Sequence, residues 1–240
     1  MPPSDDELER LYGYPPDRRW LAINFVSSVD GAVAVNGRSA ELSNAADRRV
    51  YRLGADLADV VLIGAGTAVA ERYRGIRPDE IGVQRRRRHG LSEVPPVAVV
   101  TTGVSLPPDA LVVTDVRVPT YVLTCASAPS DVRAAWAAAG AEVVLAGQDR
   151  VDLAAALAEL EGRGLRRIAG EGGPHLFGSL LAAGLVDELR LTVSPKLVSG
   201  AAGRIAAGPP LSPAPVRLAS TLTDGDTVLL RYVFDRAQSS

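Results

Sequence analysis

Glycine-rich turns after short apolar runs, and a carboxylate at the end of one such run, are the patterns in this chain that could do chemistry. Gly170-Glu171-Gly172-Gly173-Pro174 follows an apolar stretch and precedes His175-Leu176-Phe177-Gly178-Ser179-Leu180-Leu181, whose apolar residues have helical spacing. Proline costs no hydrogen bond at a first helical position, and glycines let the backbone turn sharply and approach another group closely. The free N–H groups and positive dipole end of such a helix suit an anion, here a cofactor pyrophosphate. A tight turn that binds nothing fits the same residues. Gly64-Ala65-Gly66-Thr67 repeats the theme after 59–63, but Val69 breaks the Gly-x-Gly-x-x-Gly dinucleotide spacing. Ser28 and Asp30 stand two apart at the end of 20–26, so an extended backbone aims both to one side. Asp30 is either a ligand contact or part of an Asp-Gly turn.

Other chemistries are poorly served. His89 and His175 are the only histidines, and neither has the neighbours of a Ser-His-Asp site. Cys125 is the only cysteine, which excludes an intramolecular disulfide and a thiolate zinc cage. The His-x-Glu and Pro-Cys-x-x-Cys ligands of a zinc deaminase are missing, and no metal is expected. A formal net charge of −2 gives no field that would gather nucleic acid or a membrane surface. The acidic N-terminus is not a secretory signal, and no apolar run is long enough to span a bilayer. A reducing, cytoplasmic setting is expected.

The elements that would position these residues alternate in type. Residues 1–19 read as a polar leader, and 20–236 as one domain. An apolar strand covers 20–26, and a helix capped by Ser43 carries Val50, Leu53 and Leu57. Residues 59–63 form a buried parallel strand. The aperiodic stretch 71–96 holds Arg85-Arg86-Arg87-Arg88 and reads as a solvated, mobile loop. Strand-like runs recur at 97–100, 110–113, 120–124 and 142–145. Ser130 and Asp152 cap two helices, the first stopping at Gly140 and the second at Gly162 and Gly164. Residues 166–169 lead into the opening glycine loop and its helix. Strands at 186–194, 213–223 and 227–234 close the chain, the last two joined at Asp224-Gly225-Asp226. This order predicts an α/β protein with one mixed sheet and helices on its faces.

Ser28-Val29-Asp30-Gly31, Gly64-Ala65-Gly66-Thr67, Glu171-Gly172-Gly173-Pro174 and Leu185-Val186-Asp187-Glu188-Leu189 occur in that order. Together they resemble the C-terminal reductase domain of the RibD-type riboflavin-pathway deaminase/reductase, over roughly residues 20–235. The resemblance implies a dihydrofolate-reductase-like three-layer fold: a mixed central β-sheet, helices on both faces and a C-terminal antiparallel hairpin. It implies an NADPH-dependent reductase, cytoplasmic and homodimeric, acting on a small heterocycle. Gly64, Ala65, Gly66 and Thr67 would lie against the nicotinamide half of NADPH. Glu171, Gly172, Gly173, Pro174 and Leu176 would hold its pyrophosphate, and Thr101 and Thr102 its 2′-phosphate. Ser28 and Asp30 would face the substrate, with Asp30 and Asn24 as the catalytic candidates.

Two departures fall on the substrate side. Family members commonly carry Lys where this chain has Asn24, which cannot supply a charged proton donor. An Asp-x-Pro-x-Leu-Thr-x-Arg segment that helps hold the substrate phosphate is replaced by Ala70-Glu71-Arg72-Tyr73-Arg74-Gly75-Ile76-Arg77. Tyr73 and Arg77 are the substrate-binding candidates there, and Arg74 or Arg77 would replace the lost cation. The readings are reduction of a phosphoribosylaminopyrimidine, reduction of dihydrofolate, and NADP(H) binding without turnover.

Overall fold

The structure is a computed structural model that describes residues 2–235. Its elements begin α1 (Asp5–Leu11), β1 (Trp20–Ser28), α2 (Ala45–Asp56), β2 (Val60–Gly64), α3 (Ala65–Ala70) and α4 (Glu80–Arg88). They continue β3 (Val97–Val100), α5 (Leu111–Thr114), β4 (Tyr121–Thr124), α6 (Ser130–Ala138), β5 (Glu142–Leu145) and α7 (Leu153–Gly162). The last are β6 (Arg167–Gly170), α8 (Pro174–Ala182), β7 (Glu188–Ser194), β8 (Val216–Asp224) and β9 (Thr227–Phe234). The chain folds as two compact units, one made of residues up to Gly54 with those from Gly170 onward, the other of Ala55–Ala169.

In the Ala55–Ala169 unit the strand order is β5-β4-β3-β2-β6, and β2 through β5 pair in parallel. Its core gathers Ile63, Val97, Val99, Val112, Val122 and Trp136. Parallel strands buried on both faces read as continuous apolar runs, which is why 59–63 and 97–100 were legible. Residues 110–113 are a correction: they form α5, not a strand. Val113 N–H and Thr114 N–H both bond to the Ala110 carbonyl, at 2.8 and 3.0 Å. Four apolar residues are too few to show a period, and burial of Val112 and Val113 suits either form. Asp152 caps α7 as expected, its carboxylate accepting from Ala155 N–H at 3.0 Å. The cap of α6 is Pro129, and Ser130 is its first residue.

The arginine run is a second correction. It lies in α4, with Arg85 and Arg86 buried. Arg86 donates from Nη1 to the carbonyls of Ala55 at 2.7 Å and Ala58 at 2.8 Å, and from Nε to that of Ser92 at 2.5 Å. Carbonyls at a helix end lack intrahelical donors, and a guanidinium supplies five N–H groups. Burial pushes the Arg86 pKa down to about 10, with Asp56 and Asp59 opposing the shift, so it remains charged at neutral pH. Arg85 Nη1 pairs with Asp56 at 2.5 Å. A run of like charge therefore stabilises a helix terminus rather than a solvated loop.

In the other unit β1 and β7 pair in parallel, while β7-β9-β8 run antiparallel. The C-terminal hairpin is as expected, with Gly225 at φ 59 in a two-residue turn between Asp224 and Thr227. The nine strands make up a mixed sheet. The start of α2 is capped one residue later than expected: Asn44 Oδ1 accepts from Asp47 N–H at 3.0 Å, while Ser43 Oγ donates to Asp47 at 2.6 Å. The leader is folded too. Ser4 caps α1, and Leu8 and Tyr12 are buried. Among the described residues no helix is long and apolar enough to cross a membrane.

Candidate active site

β6 ends at Gly170, where a Cβ would meet Ile23 Cδ1 at 2.2 Å and force that side chain to shift. The next turn uses Gly172 at φ +90, a region side chains disfavour, and the Gly172–Gly173 peptide bond is cis. Gly173 is the extended N-cap of α8 and Pro174 its first residue. No side chain at the cap therefore competes for the first-turn N–H groups, Leu176 among them. Phe25 supports the loop from below, its Cε1 3.7 Å from where a Gly172 Cβ would stand and its ring 5.3 Å from that of Phe177. The Ala207 N–H bonds to the Pro174 carbonyl at 3.0 Å and holds a later segment against the helix start. Glu171 is half-buried and within electrostatic reach of Tyr14.

β1 is buried at every position but Asn24, which is half-buried. Its Oδ1 is nevertheless enclosed and, among the described residues, has no hydrogen-bond partner. Enclosed acceptors are normally satisfied, and this one is an exception. Ser28 and Asp30 do meet, but across a turn closed by Gly31 N–H on the Ser28 carbonyl at 3.0 Å, as in the Asp-Gly turn reading, and not along an extended backbone. Ser28 Oγ donates to Asp30 at 2.5 Å and accepts from Ala32 N–H at 2.8 Å. The Asp30 carboxylate also accepts from the N–H groups of Ser199 at 2.7 Å and Val198 at 3.2 Å. Ser28 first, then the Ser199 and Val198 amides, hold its pKa down at about 2. The carboxylate thus ties the end of β1 to the loop after β7. Asp30→Ala should speed hydrogen exchange at the Val198 and Ser199 amides while leaving those of β1 protected. Unchanged exchange at both would show that the carboxylate does not hold this loop.

A buried charged group stands on the face of β1 and β7 that carries Asn24, whose register partner is Arg190. Glu188 is fully buried and accepts from Trp20 Nε1 at 2.9 Å, Arg190 Nε at 2.9 Å and Arg231 Nε at 2.7 Å. Arg190 also donates to the Tyr12 carbonyl at 2.8 Å, and its guanidinium lies 5.2 Å from the Tyr12 ring centre and 4.8 Å from that of Tyr14. Burial pushes the Glu188 carboxyl up, but the two arginines outweigh it and hold it at about 2. Burial raises both tyrosines to about 12. Sequence reasoning missed this group. The alternation of Leu189, Leu191 and Val193 marks the strand without telling that its polar face is covered as well.

The remaining candidates belong to the Ala55–Ala169 unit. Gly64 is the N-cap of α3, Ala65 is buried, Gly66 is exposed with open space where a Cβ would be, and Thr67 is half-buried. Thr101 is buried just past β3, its Oγ1 accepting from Gly103 N–H at 3.1 Å, while Thr102 is exposed. Tyr73 packs against the unit's core. Arg77 and Arg74 both pair with Asp115, Arg74 at 2.8 Å. Both proposed replacement cations are thus engaged with one carboxylate.

Against known proteins, the model of the RibD C-terminal domain matches residues 19–230. The chain belongs to this family. A curated relative from Methanothermobacter thermautotrophicus, named 2,5-diamino-6-ribosylamino-4(3H)-pyrimidinone 5′-phosphate reductase, is 34% identical over 76% of this chain and 81% of its own length. A solved pyrimidine reductase-like protein from Corynebacterium diphtheriae superposes with a TM-score of 0.82 at 20% identity, covering 96% of this chain and 99% of its own. Dihydrofolate reductase from Enterococcus faecalis superposes at 0.50 and 12% identity, over 90% of this chain and 96% of its own. The RibD C-terminal chain is accordingly an oxidoreductase with a dihydrofolate-reductase-like fold, a reductase of the riboflavin-pathway type that uses a nicotinamide cofactor.

Proposed function

We propose that this chain is an NADPH-dependent reductase of a phosphoribosylaminopyrimidine, working as a cytoplasmic homodimer. The observation that carries the reading is the family match over residues 19–230, whose curated relatives are named as reductases of such a compound. The residues present fit the cofactor. The turn at Gly172 and Gly173 brings only backbone to the start of α8, and Gly66 opens onto space rather than side chains. Gly172, Gly173, Pro174 and Leu176, with Glu171 beside them, would hold the pyrophosphate. Gly64, Ala65, Gly66 and Thr67 would border the nicotinamide half. Thr101 and Thr102 would receive the 2′-phosphate, the Thr101 hydroxyl keeping its proton to donate because its oxygen already accepts from Gly103. When bound, NADPH would supply the hydride.

The chain's own work is then alignment, which can supply most of the acceleration when reacting atoms are held in near-attack geometry. Asn24 has no ionisable proton near neutral pH, so it cannot act as a charged acid toward the substrate. Asp30 and Ser28 fix the loop beyond β1, Asp30 through its ionised form. Tyr73 and Arg77 would border the substrate from their own unit. A single cysteine, buried and free, suits a reducing compartment.

One observation favours a second reading. Arg74 and Arg77 are both drawn to Asp115, which leaves a substrate phosphate less well served and suits a pterin such as dihydrofolate. NADPH oxidation separates the readings. Consumption with the phosphoribosylaminopyrimidine alone is the expected outcome; consumption with dihydrofolate alone selects the second, and with neither leaves a binding protein. NADH binding as tightly as NADPH would remove the 2′-phosphate role of Thr101 and Thr102.

A further inference from the structure

The carboxyl ends of β3 and β4 bring two threonines together on the face that α6 covers. Val99 and Val122 pack with Trp136 of α6 in the core of the Ala55–Ala169 unit. Side chains alternate along a strand, so Thr101 and Thr124, two positions on, share that face. The Thr101 N–H bonds to the Leu123 carbonyl at 3.1 Å, which carries the ladder one residue past β3 and sets Thr101 beside Thr124. Thr124 is 0% exposed, and its Oγ1 has no hydrogen-bond partner among the described residues.

The start of α6 lies over the same end. Its cap is Pro129, whose side chain leaves the first-turn N–H groups uncapped. The loop after Thr101 touches it: a Cβ at Gly103 would meet Pro129 Cδ at 2.9 Å and Ala128 Cβ at 3.3 Å. Arg133 follows one turn later, its N–H on the Pro129 carbonyl at 3.0 Å. Helical side chains lean toward the N-terminus, so that of Arg133 runs back over Pro129 toward the 101–103 loop. Arg133 is half-buried and its Nε is enclosed without a hydrogen-bond partner. Among the described residues no carboxylate pairs with it, although buried arginines are normally paired. Asp131, the acid of the same turn, is exposed and falls about 200° around the helix from Pro129.

We propose that Arg133 is the residue by which this chain selects a phosphorylated adenosine ribose, its guanidinium gripping from α6 the 2′-phosphate that Thr101 and Thr102 receive. The inference rests on the NADPH reading above and names the charge that favours NADPH over NADH. A threonine hydroxyl can bond a ribose hydroxyl as well as a phosphate, so the two threonines alone discriminate weakly. A guanidinium offers a phosphate a fork of donors and a full opposite charge, and gains neither from a ribose hydroxyl. The uncapped N–H groups at the start of α6 add to the same field.

The test is fluorescence titration of the full chain with NADPH and with NADH, together with displacement of NADPH by 2′,5′-ADP and by 5′-AMP. Arg133→Met should raise the NADPH dissociation constant by about 10- to 100-fold, as for loss of a hydrogen bond to a charged group, and leave that of NADH within about 2-fold. 2′,5′-ADP should lose affinity in step, and 5′-AMP should not. Arg133→Lys keeps the charge without the fork, so it should fall between, and it serves if Arg133→Met does not fold. Arg163→Met removes a charge that pairs with Glu142 at the amino end of β5, and should leave both cofactors unaffected. Equal losses for NADPH and NADH, or the same NADPH loss in Arg163→Met, would overturn the assignment. A wild type that prefers NADPH, with that preference intact in Arg133→Met, would remove Arg133 and leave the NADPH reading in place. A wild type without preference would remove both.

Discussion

Glu188→Ala is expected to lower folding stability by about 3–5 kcal/mol, because removing one partner strands a buried charge. Glu188 is fully buried, Arg190 has 2% and Arg231 12% of its side chain exposed, and both guanidinium groups spend their Nε donors on this one carboxylate. Trp20 loses its indole acceptor at the same time. A urea-denaturation midpoint at neutral pH measures the cost, and a loss below 1 kcal/mol would refute the assignment. The same group predicts an acid limb. Its folded pKa of about 2 lies below the ordinary 4.5, so the stabilisation is fully present above about pH 4.5 and is lost as pH falls through about 2. At about 1.4 kcal/mol per pH unit this amounts to roughly 3 kcal/mol. Glu188→Gln should lack that component, giving a flatter stability profile between pH 5 and pH 2 in the order of the same size. Parallel wild-type and variant profiles would place the acid sensitivity elsewhere.

Gly173→Val is expected to weaken NADPH binding by about 100-fold or more while the protein stays folded. Gly173 has an extended backbone, φ −78, in a region that side chains adopt. A branched side chain would crowd the buried turn at the start of α8. Loss of two hydrogen bonds to a charged group, at about 1.5–3 kcal/mol each, gives that fold-change. A fluorescence titration with NADPH measures it, with the thermal midpoint as the control for folding. Unchanged affinity would refute the pyrophosphate role of the loop.

What the sequence made legible followed the strength of local signals. Asp152 before a leucine stripe, Gly140 and Gly164 as helix stops, and Gly225 in a two-residue hairpin turn each determine their element within a few residues, and all were found where expected. Residues 110–113 were not, since four apolar residues suit a helical turn and a strand alike and tertiary burial decides. Arg86 failed for a different reason. Its value lies in carbonyls 28 and 31 positions away, which no local pattern registers. The candidate site divides in the same way. The glycines of the 170–174 turn are visible because backbone conformation demands them. The Glu188 group is invisible because its members come from α1's neighbour Tyr12, from β1, β7 and β9, and only folding gathers them. Asp30 was legible as a residue but not in its bonding, which depends on amides 168 and 169 positions further on.

The docking of Tyr12 against Arg190 bears on where this protein can be cut. The family match begins at residue 19, which would invite a fragment starting there. Such a fragment would lose the carbonyl that receives Arg190 Nη2 and both rings that shield its guanidinium. The Trp20–Glu188 bond would then sit at a frayed terminus instead of beneath a folded segment. The boundary set by shared ancestry and the boundary of the cooperative folding unit are therefore different, and the second includes α1.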